Sequence, residues 1–317
     1  RKKLYDTKGF KKEKAKKSEK GKILKNILDI KAKDELTVAA FRSQMVSHLI
    51  PNFTKVIGLV QHDQYHRYSV NAHLLQAVRE VRRIYTYPKL LGKLEFYAEK
   101  LKISDWNILR WTALYHDIAK GRKGDHSKKG RELTLKDLKA FGFPKDFAHE
   151  VAWLVEHHLI LSTAAFRKNP QSPKTWEYLF SRGVRGPRLY RLAIFTVINI
   201  LATNPDAWNS WKENLLCEMV DTLRNPSPAK HYDFTQKLKR QNLKVPDSFL
   251  NDLDSSLIDA FSHKVLIKDF RQILKGEELS PLVMKDRRNR VWLRFHKKKD
   301  EAGLVLEFTQ KLTSLGC

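Results

Sequence analysis

Cysteine is nearly missing from this chain. Only Cys217 and Cys317 occur among 317 residues, which excludes a disulfide framework and a cysteine-rich zinc site. Such usage fits a reducing compartment, so a cytoplasmic location is expected. Long apolar runs are also missing. The longest, Leu192 to Ala202, is interrupted by Thr196 and Asn199 and falls short of the roughly 18 residues a membrane span needs. The first 25 residues carry twelve Lys/Arg and no apolar stretch, so they do not read as a signal peptide. Acidic residues are scarce against basic ones: 35 Asp+Glu face 61 Lys+Arg, a formal net charge of +26. That balance excludes an acidic solvating protein. It favours an anionic partner (nucleic acid, a nucleotide or an acidic protein face) or else describes a solvated lysine surface. Internal repeats are absent.

The length suggests two domains, or one large domain with appendages. Residues 1–22 are rich in lysine (Lys11, Lys12, Lys14, Lys16, Lys17, Lys20) and nearly free of apolar side chains, so they are expected to form a mobile basic tail. Over 23–225 the pattern is helical and alternating strand patterns are missing. Val70, Leu74, Ala77, Val78 and Val81 form a stripe at helical spacing, as do Leu109, Ala113, Leu114 and Ile118, and Val151, Leu154 and Val155. Leu189–Thr203 is apolar nearly all round and reads as a buried central helix. Ser104, Asp105 and Ser127 are placed as helix N-caps. Residues 226–285 read as short helices in polar connections, Val291-Trp-Leu-Arg-Phe as a strand, and Gly303–Leu315 as a helix. The start on Arg1 and the strand–helix unit that stops at Cys317 lead to the expectation of a piece of a longer protein.

Chemistry is concentrated in Ala113-Leu-Tyr-His-Asp-Ile-Ala-Lys120. A His-Asp pair alone is a weak signal, since His62-Asp63 repeats it. Its company strengthens it. His73 lies on the stripe of Val70, Ala77 and Val81. His158 follows Leu154 by four residues, and Asn199 follows Phe195 by four. His126 opens a helix after Gly121-Arg-Lys-Gly-Asp125. One inward histidine is easily satisfied in a core; several with a carboxylate are hard to satisfy without a shared partner, because buried unpaired polar groups are costly. A divalent metal is the economical explanation.

These residues resemble the HD superfamily of metal-dependent phosphohydrolases. The segments Gln61–Val70, Leu114–Ser127, Val151–Ser162 and Ala202–Lys212 resemble, more narrowly, the HD domain of bifunctional PII uridylyltransferase/uridylyl-removing enzymes. The stretch Arg290–Leu304 resembles the opening of an ACT domain. The resemblance implies an all-α HD-domain helical bundle over 23–225, a helical connection over 226–285 and an incomplete ACT-like β-α segment over 286–317. It implies hydrolysis of the phosphodiester joining UMP to the PII nitrogen-signalling protein, with a divalent metal, Mg2+ or Mn2+, as cofactor. By position, His73, His116 and Asp117 are implied ligands, and His126 and His158 complete a second metal position bridged by Asp117. Asn199 stands at the last ligand place, and His157 is a supporting neighbour. Asp117, Lys120 and Asp125 are the implied catalytic groups. His66, Lys120, Arg122 and Asn204 are the implied substrate contacts, although Lys120 and Arg122 also suit a helix C-terminus.

The sequence departs from that family in three places. Asn199 replaces an aspartate, and a neutral amide is the poorer ligand. Ser69-Val-Asn-Ala-His73 stands where acidic residues usually precede the histidine. The Gly-Ser loop and paired aspartates of a nucleotidyltransferase are not in this sequence. Two further readings therefore stay open: an HD hydrolase acting on a nucleotide or nucleic-acid end, and a binding or regulatory module with weakened catalysis. Trp176, Trp208 and Trp211 suit either a uracil stack or a core. Arg287, Arg288, Arg290, Arg294 and Lys297–Lys299 suit either a nucleic-acid contact or a guarded strand edge.

Overall fold

The computed structural model describes residues 17–60, 68–226, 229–246, 258, 261–285 and 291–296. The chain divides into two compact units, one of residues 1–170 and 178–224, the other of 171–177 and 225–317.

The first unit is helical throughout its described residues. Its helices are α1 (Lys17–Leu28), α2 (Asp34–Arg42), α3 (Met45–Leu49), α4 (Val70–Thr86), α5 (Glu95–Ala98), α6 (Ile103–Tyr115), α7 (His126–Ala140), α8 (Lys145–His157) and α9 (Ile160–Arg167), then α11 (Gly186–Thr203) and α12 (Ser210–Arg224). Between α9 and α11 lies α10 (Pro173–Phe180), within which the two units divide. Short 3-10 turns cover Pro51–Val56, Pro88–Leu94 and Pro205–Ala207. Each begins at a proline, whose fixed φ suits a first helical position and whose missing N–H costs nothing there.

The stripe on α4 is buried as its spacing requires, with His73 among Val70, Leu74, Ala77, Val78 and Val81. The central helix α11 buries Leu192 through Ile198 without interruption and packs on α4, α6 and α9. Its one hydroxyl in that run, Thr196, bonds the Leu192 carbonyl at 2.8 Å, so a polar group sits in the core without loss. Helices α7 and α8 form a close pair. Gly130 makes this possible: a Cβ there would lie 2.9 Å from Cγ1 of the buried Val155. Arg110, fully buried on α6, donates to the Asp29 carbonyl and the Thr37 hydroxyl, both at 2.7 Å, and thereby ties the α1–α2 turn to the core.

Several boundaries differ from the sequence reading. Helix α1 starts at Lys17 and so takes in the last residues of the expected basic tail; residues 1–16 lie outside the described residues. The N-cap of α7 is Asp125, not Ser127, because the aspartate lies one residue before the first helical turn. Helix α6 starts at Ile103, with Asp105 closing a capping box from the third position.

In the second unit, α13 (Ala229–Arg240) and α14 (His263–Leu274) contribute Phe234, Leu238, Leu266 and Phe270 to a small core with Ile258 and Phe261. Strand β1 (Leu279–Lys285) pairs antiparallel with β2 (Val291–His296). β2 lies where a strand was expected. β1 corrects the reading of 226–285 as helical connection: Pro281 hid a strand that pairs irregularly between Leu279 and Leu282, a position that tolerates a missing donor. The expected helix over 303–315 and the basic residues at 287, 288, 290 and 297–299 lie outside the described residues.

Candidate metal centre

Four helix ends and the middle of α11 bring the polar residues together. His73 stands one turn into α4. His116 is the residue after α6, and Asp117 follows it in a turn rather than on the helix itself. His126 is the first residue of α7, held there by the Asp125 cap, which accepts from the amides of Ser127 (2.9 Å) and Lys128 (3.3 Å). His158 is the residue after α8. Gly121 and Gly124, with φ of +76° and +88°, bend the chain between Asp117 and α7 through a region that disfavours side chains.

Two groups of ligand atoms result, sharing Asp117. His73, His116 and Asp117 form one; Asp117, His126 and His158 form the other. In the first, the Nε2 atoms of His73 and His116 lie 2.9 Å apart, and Asp117 Oδ2 is 3.7 and 3.4 Å from them. In the second, Asp117 Oδ1 is 3.6 Å from His126 Nε2 and 3.7 Å from His158 Nε2. One carboxylate oxygen thus serves each group.

Protons explain only part of this arrangement: one can sit between the Nε2 atoms of His73 and His116, and Lys120 donates to Asp117 Oδ2. The Nδ1–H groups of His116 and His158 are directed at the carbonyls of Ala113 (3.0 Å) and Val155 (2.8 Å), which leaves both Nε2 atoms as lone pairs facing inward. Asp117 Oδ1 is buried and has no hydrogen-bond partner among the described residues. The remaining lone pairs and the Asp117 carboxylate suit a cation. Donors spaced by 2.9–3.7 Å match neighbours around one ion whose bonds are about 2.0–2.2 Å. Each group could therefore hold a divalent ion, with Asp117 common to both.

The electrostatics prepare the same result. Burial, reinforced by His116, pushes His73 down to about 4, and pushes His158 down to about 3. Burial lowers His126 as well. These imidazoles are neutral at pH 7 and ready to coordinate. Burial works to raise Asp117, but His116, Lys120 and His158 together hold it well below the usual carboxylate range. Lys120 Nζ lies 2.6 Å from Asp117 Oδ2.

The second group opens on a cleft of about 380 Å3. Lys120, Asn199 and Asn204 stand on its walls with Ser162, Phe166 and Lys212. Asn204 also caps the 3-10 turn after α11, accepting from the Asp206 amide. Phe166, Ser162 and Lys212 were not singled out from sequence. Ser162 and Lys212 close the segments Val151–Ser162 and Ala202–Lys212, the one signal that pointed to them.

Other candidates stand elsewhere. Arg122 donates to Asn52 Oδ1 at 2.9 Å, and Asn52 also bonds Asp137. That bond helps hold the turn, and Arg122 does not line the cleft. Asp125 is exposed and serves as a cap. His157 stacks on Trp153 with ring centres 4.8 Å apart and joins neither ligand group. Trp208 and Trp211 do not line the cleft, Trp176 belongs to the other unit, and His66 lies outside the described residues. The cap reading has a direct check. Asp125→Ala is expected to cost about 1 kcal/mol of stability in urea denaturation while hydrolysis falls only a few-fold. A loss of turnover far beyond the loss of stability would place Asp125 on the substrate instead.

Residues 91–194 match the HD domain family. The match takes in His116, Asp117, His126 and His158; His73 and Asn199 lie outside it. The chain is similar to proteins named bifunctional uridylyltransferase/uridylyl-removing enzyme. That of Nitrosococcus oceani is 39% identical over 62% of this chain and 21% of its own length. That of Azotobacter vinelandii is 34% identical over 56% and 20%, and that of Cupriavidus pinatubonensis 35% identical over 68% and 25%. The chain spans a fifth to a quarter of the length of these relatives. Among the described residues, no helix is long and apolar enough to cross a membrane.

Proposed function

We propose that the HD domain carried by this chain is a divalent-metal-dependent phosphodiesterase of the uridylyl-removing type, which releases UMP from a uridylylated PII-like nitrogen-signalling protein in the cytoplasm. The observation that carries the reading is the pair of residue groups sharing Asp117, the second of which opens on a cleft. The relatives' names supply the uridylyl group; the PII-like carrier comes from the resemblance of the sequence motifs. His73, His116 and Asp117 would hold one ion, Mg2+ or Mn2+, and Asp117, His126 and His158 the other, with Asn199 beside them. When bound, such ions neutralise phosphate charge and acidify a water for attack.

The remaining roles fall to the chain's own groups. Lys120, on the cleft wall and already 2.6 Å from the carboxylate, would draw a phosphate oxygen toward the ligand set. The amides of Asn199 and Asn204 offer both donors and acceptors to the nucleoside half, and Phe166 with Leu159 gives that half an apolar wall that excludes water. Asp125 acts through His126, by fixing the start of α7. The β1–β2 hairpin keeps the resemblance to an ACT opening as part of this proposal. A second reading, an HD hydrolase acting on nucleotides or nucleic-acid ends, draws on the net charge of +26. A third, a binding module with weakened catalysis, draws on Asn199.

One experiment separates them. The purified chain with Mn2+ is incubated with uridylylated PII and with a panel of nucleotides and oligonucleotides, and products are read by mass spectrometry. UMP released from the modified protein alone, and lost on adding EDTA, supports the proposal. Release from the panel alone favours the second reading. No release from either, with metal bound, favours the third.

A further inference from the structure

Asp117 is held by a turn rather than by a helix. Over 118–122 the main-chain bonds reach back three residues: Ile118 to Tyr115 (3.1 Å), Lys120 to Asp117 (3.0 Å) and Arg122 to Ala119 (3.3 Å). Bonds of this kind have poorer geometry than helical ones, and the left-handed Gly121 and Gly124 lie in the same stretch. A carboxylate that must stay between two pairs of histidines therefore needs support from outside the turn.

Residues 51–59 provide it. They are anchored by the buried Phe53 and Val56, the Phe53 ring lying edge-on to Phe41 of α2 with ring centres 5.5 Å apart. At one end, Asn52 Oδ1 accepts from Arg122 Nη2 at 2.9 Å, and the Asn52 amide donates to the Asp137 carboxylate on α7. Arg122 Nε is buried with no hydrogen-bond partner among the described residues, so nothing at that atom backs up the Asn52 bond. Asp137 Oδ2 also accepts from the hydroxyl of the fully buried Tyr115 at 3.4 Å. At the other end, the Leu59 carbonyl accepts from the Val70 amide at 2.8 Å, and the Gly58 amide donates to Asn71 Oδ1 at 2.9 Å. Asn71, one of the neutral residues before His73, thus fastens the start of α4. The Leu59 side chain covers Gly121, where a Cβ would meet it at 2.9 Å.

These residues contribute nothing to either ligand group, yet they touch the three stretches that carry His73, His116 with Asp117, and His126. The Asn52 side chain is the least replaceable of their contacts. A primary amide offers an acceptor and donors together, and this one stands between a guanidinium and a carboxylate.

We propose that Asn52 is a positioning residue of the metal centre: by joining Arg122 to Asp137 it fixes the Asp117 turn on α7, and so keeps Asp117 Oδ1 and His126 Nε2, 3.6 Å apart, within reach of one cation. The inference rests on the metal-centre reading.

The test compares the full chain with Asn52→Ala, Asn52→Asp and the exchanged pair Asn52→Asp/Asp137→Asn. Asn52→Asp keeps the Arg122 bond but sets two carboxylates face to face; the exchanged pair restores every donor and acceptor with the roles reversed. Mn2+ binding is read by titration calorimetry at a temperature where circular dichroism shows each protein folded, so that lost stability alone leaves the affinity unchanged. Both single variants are expected to bind Mn2+ about tenfold more weakly or worse, and the exchanged pair to return to wild-type affinity. Unchanged affinity in the single variants, or no recovery in the exchanged pair, overturns the assignment. Should Asn52→Ala not fold, Asn52→Asp against the exchanged pair decides in the same way. If wild type takes up no Mn2+, the metal-centre reading fails by itself, and amide hydrogen exchange of the ion-free proteins decides the role of Asn52. Exchange about tenfold faster at Ile118, Lys120 and Arg122 in the single variants, reversed in the exchanged pair, supports it; equal exchange overturns it.

Discussion

Replacing Asp117 with asparagine is expected to remove both metal ions at once and to lower phosphodiester hydrolysis at least about a thousandfold. The reason is positional. Among the described residues Asp117 alone belongs to both groups, with Oδ2 facing His73 and His116 and Oδ1 facing His126 and His158. Asparagine keeps its size and shape but replaces one oxygen by a donor, so one group loses its acceptor and both lose the negative charge. Loss of about 4 kcal/mol of transition-state stabilisation corresponds to that thousandfold. His73→Ala and His158→Ala make the comparison informative, since each removes a member of one group and should cost one ion. Elemental analysis of the dialysed variants reads the count: two ions in wild type, one in either histidine variant and none in Asp117→Asn. An Asp117→Asn protein that keeps two ions would mean that the carboxylate does not bridge.

Asn199→Asp is expected to move affinity the other way, tightening metal binding about tenfold or more. Asn199 lines the cleft with Asp117, Lys120, His126 and His158, so a carboxylate there would add a formal negative charge beside the ligand set. The half-buried setting strengthens the attraction over its value in water; tenfold requires about 1.4 kcal/mol. Titration calorimetry with Mn2+ checks the affinity. If hydrolysis rises in parallel, the native asparagine limits turnover by limiting occupancy. If affinity is unchanged, the side chain at 199 does not reach the ion, and the resemblance misleads at that position.

Much of the cluster was legible because two of its members are ordinary core positions by spacing. His73 is buried since it shares a helical stripe with Val70 and Ala77, and His158 since it continues the Val151–Leu154 face of α8. Helical periodicity reports which side faces inward, whatever the residue's chemistry. It does not report which partner a polar group takes at a helix end. Arg122 follows the ligands closely in sequence, but a turn through Gly121 aims it at Asn52, a residue 70 positions away that no local pattern links to it. Asp125 reads as a candidate for chemistry because its charge is conspicuous, while its geometry is that of a cap. Strand β1 was missed because Pro281 argues against a strand unless the partner's irregular pairing is known.

The central claim is that one buried carboxylate joins two imidazole pairs around two cations. Anomalous X-ray scattering from crystals grown with Mn2+ tests it most directly. The expected result is two peaks, one in contact with His73, His116 and Asp117 Oδ2, the other with His126, His158 and Asp117 Oδ1. Peaks placed elsewhere, or imidazole nitrogens bridged by ordered water with no anomalous signal at saturating Mn2+, would contradict it.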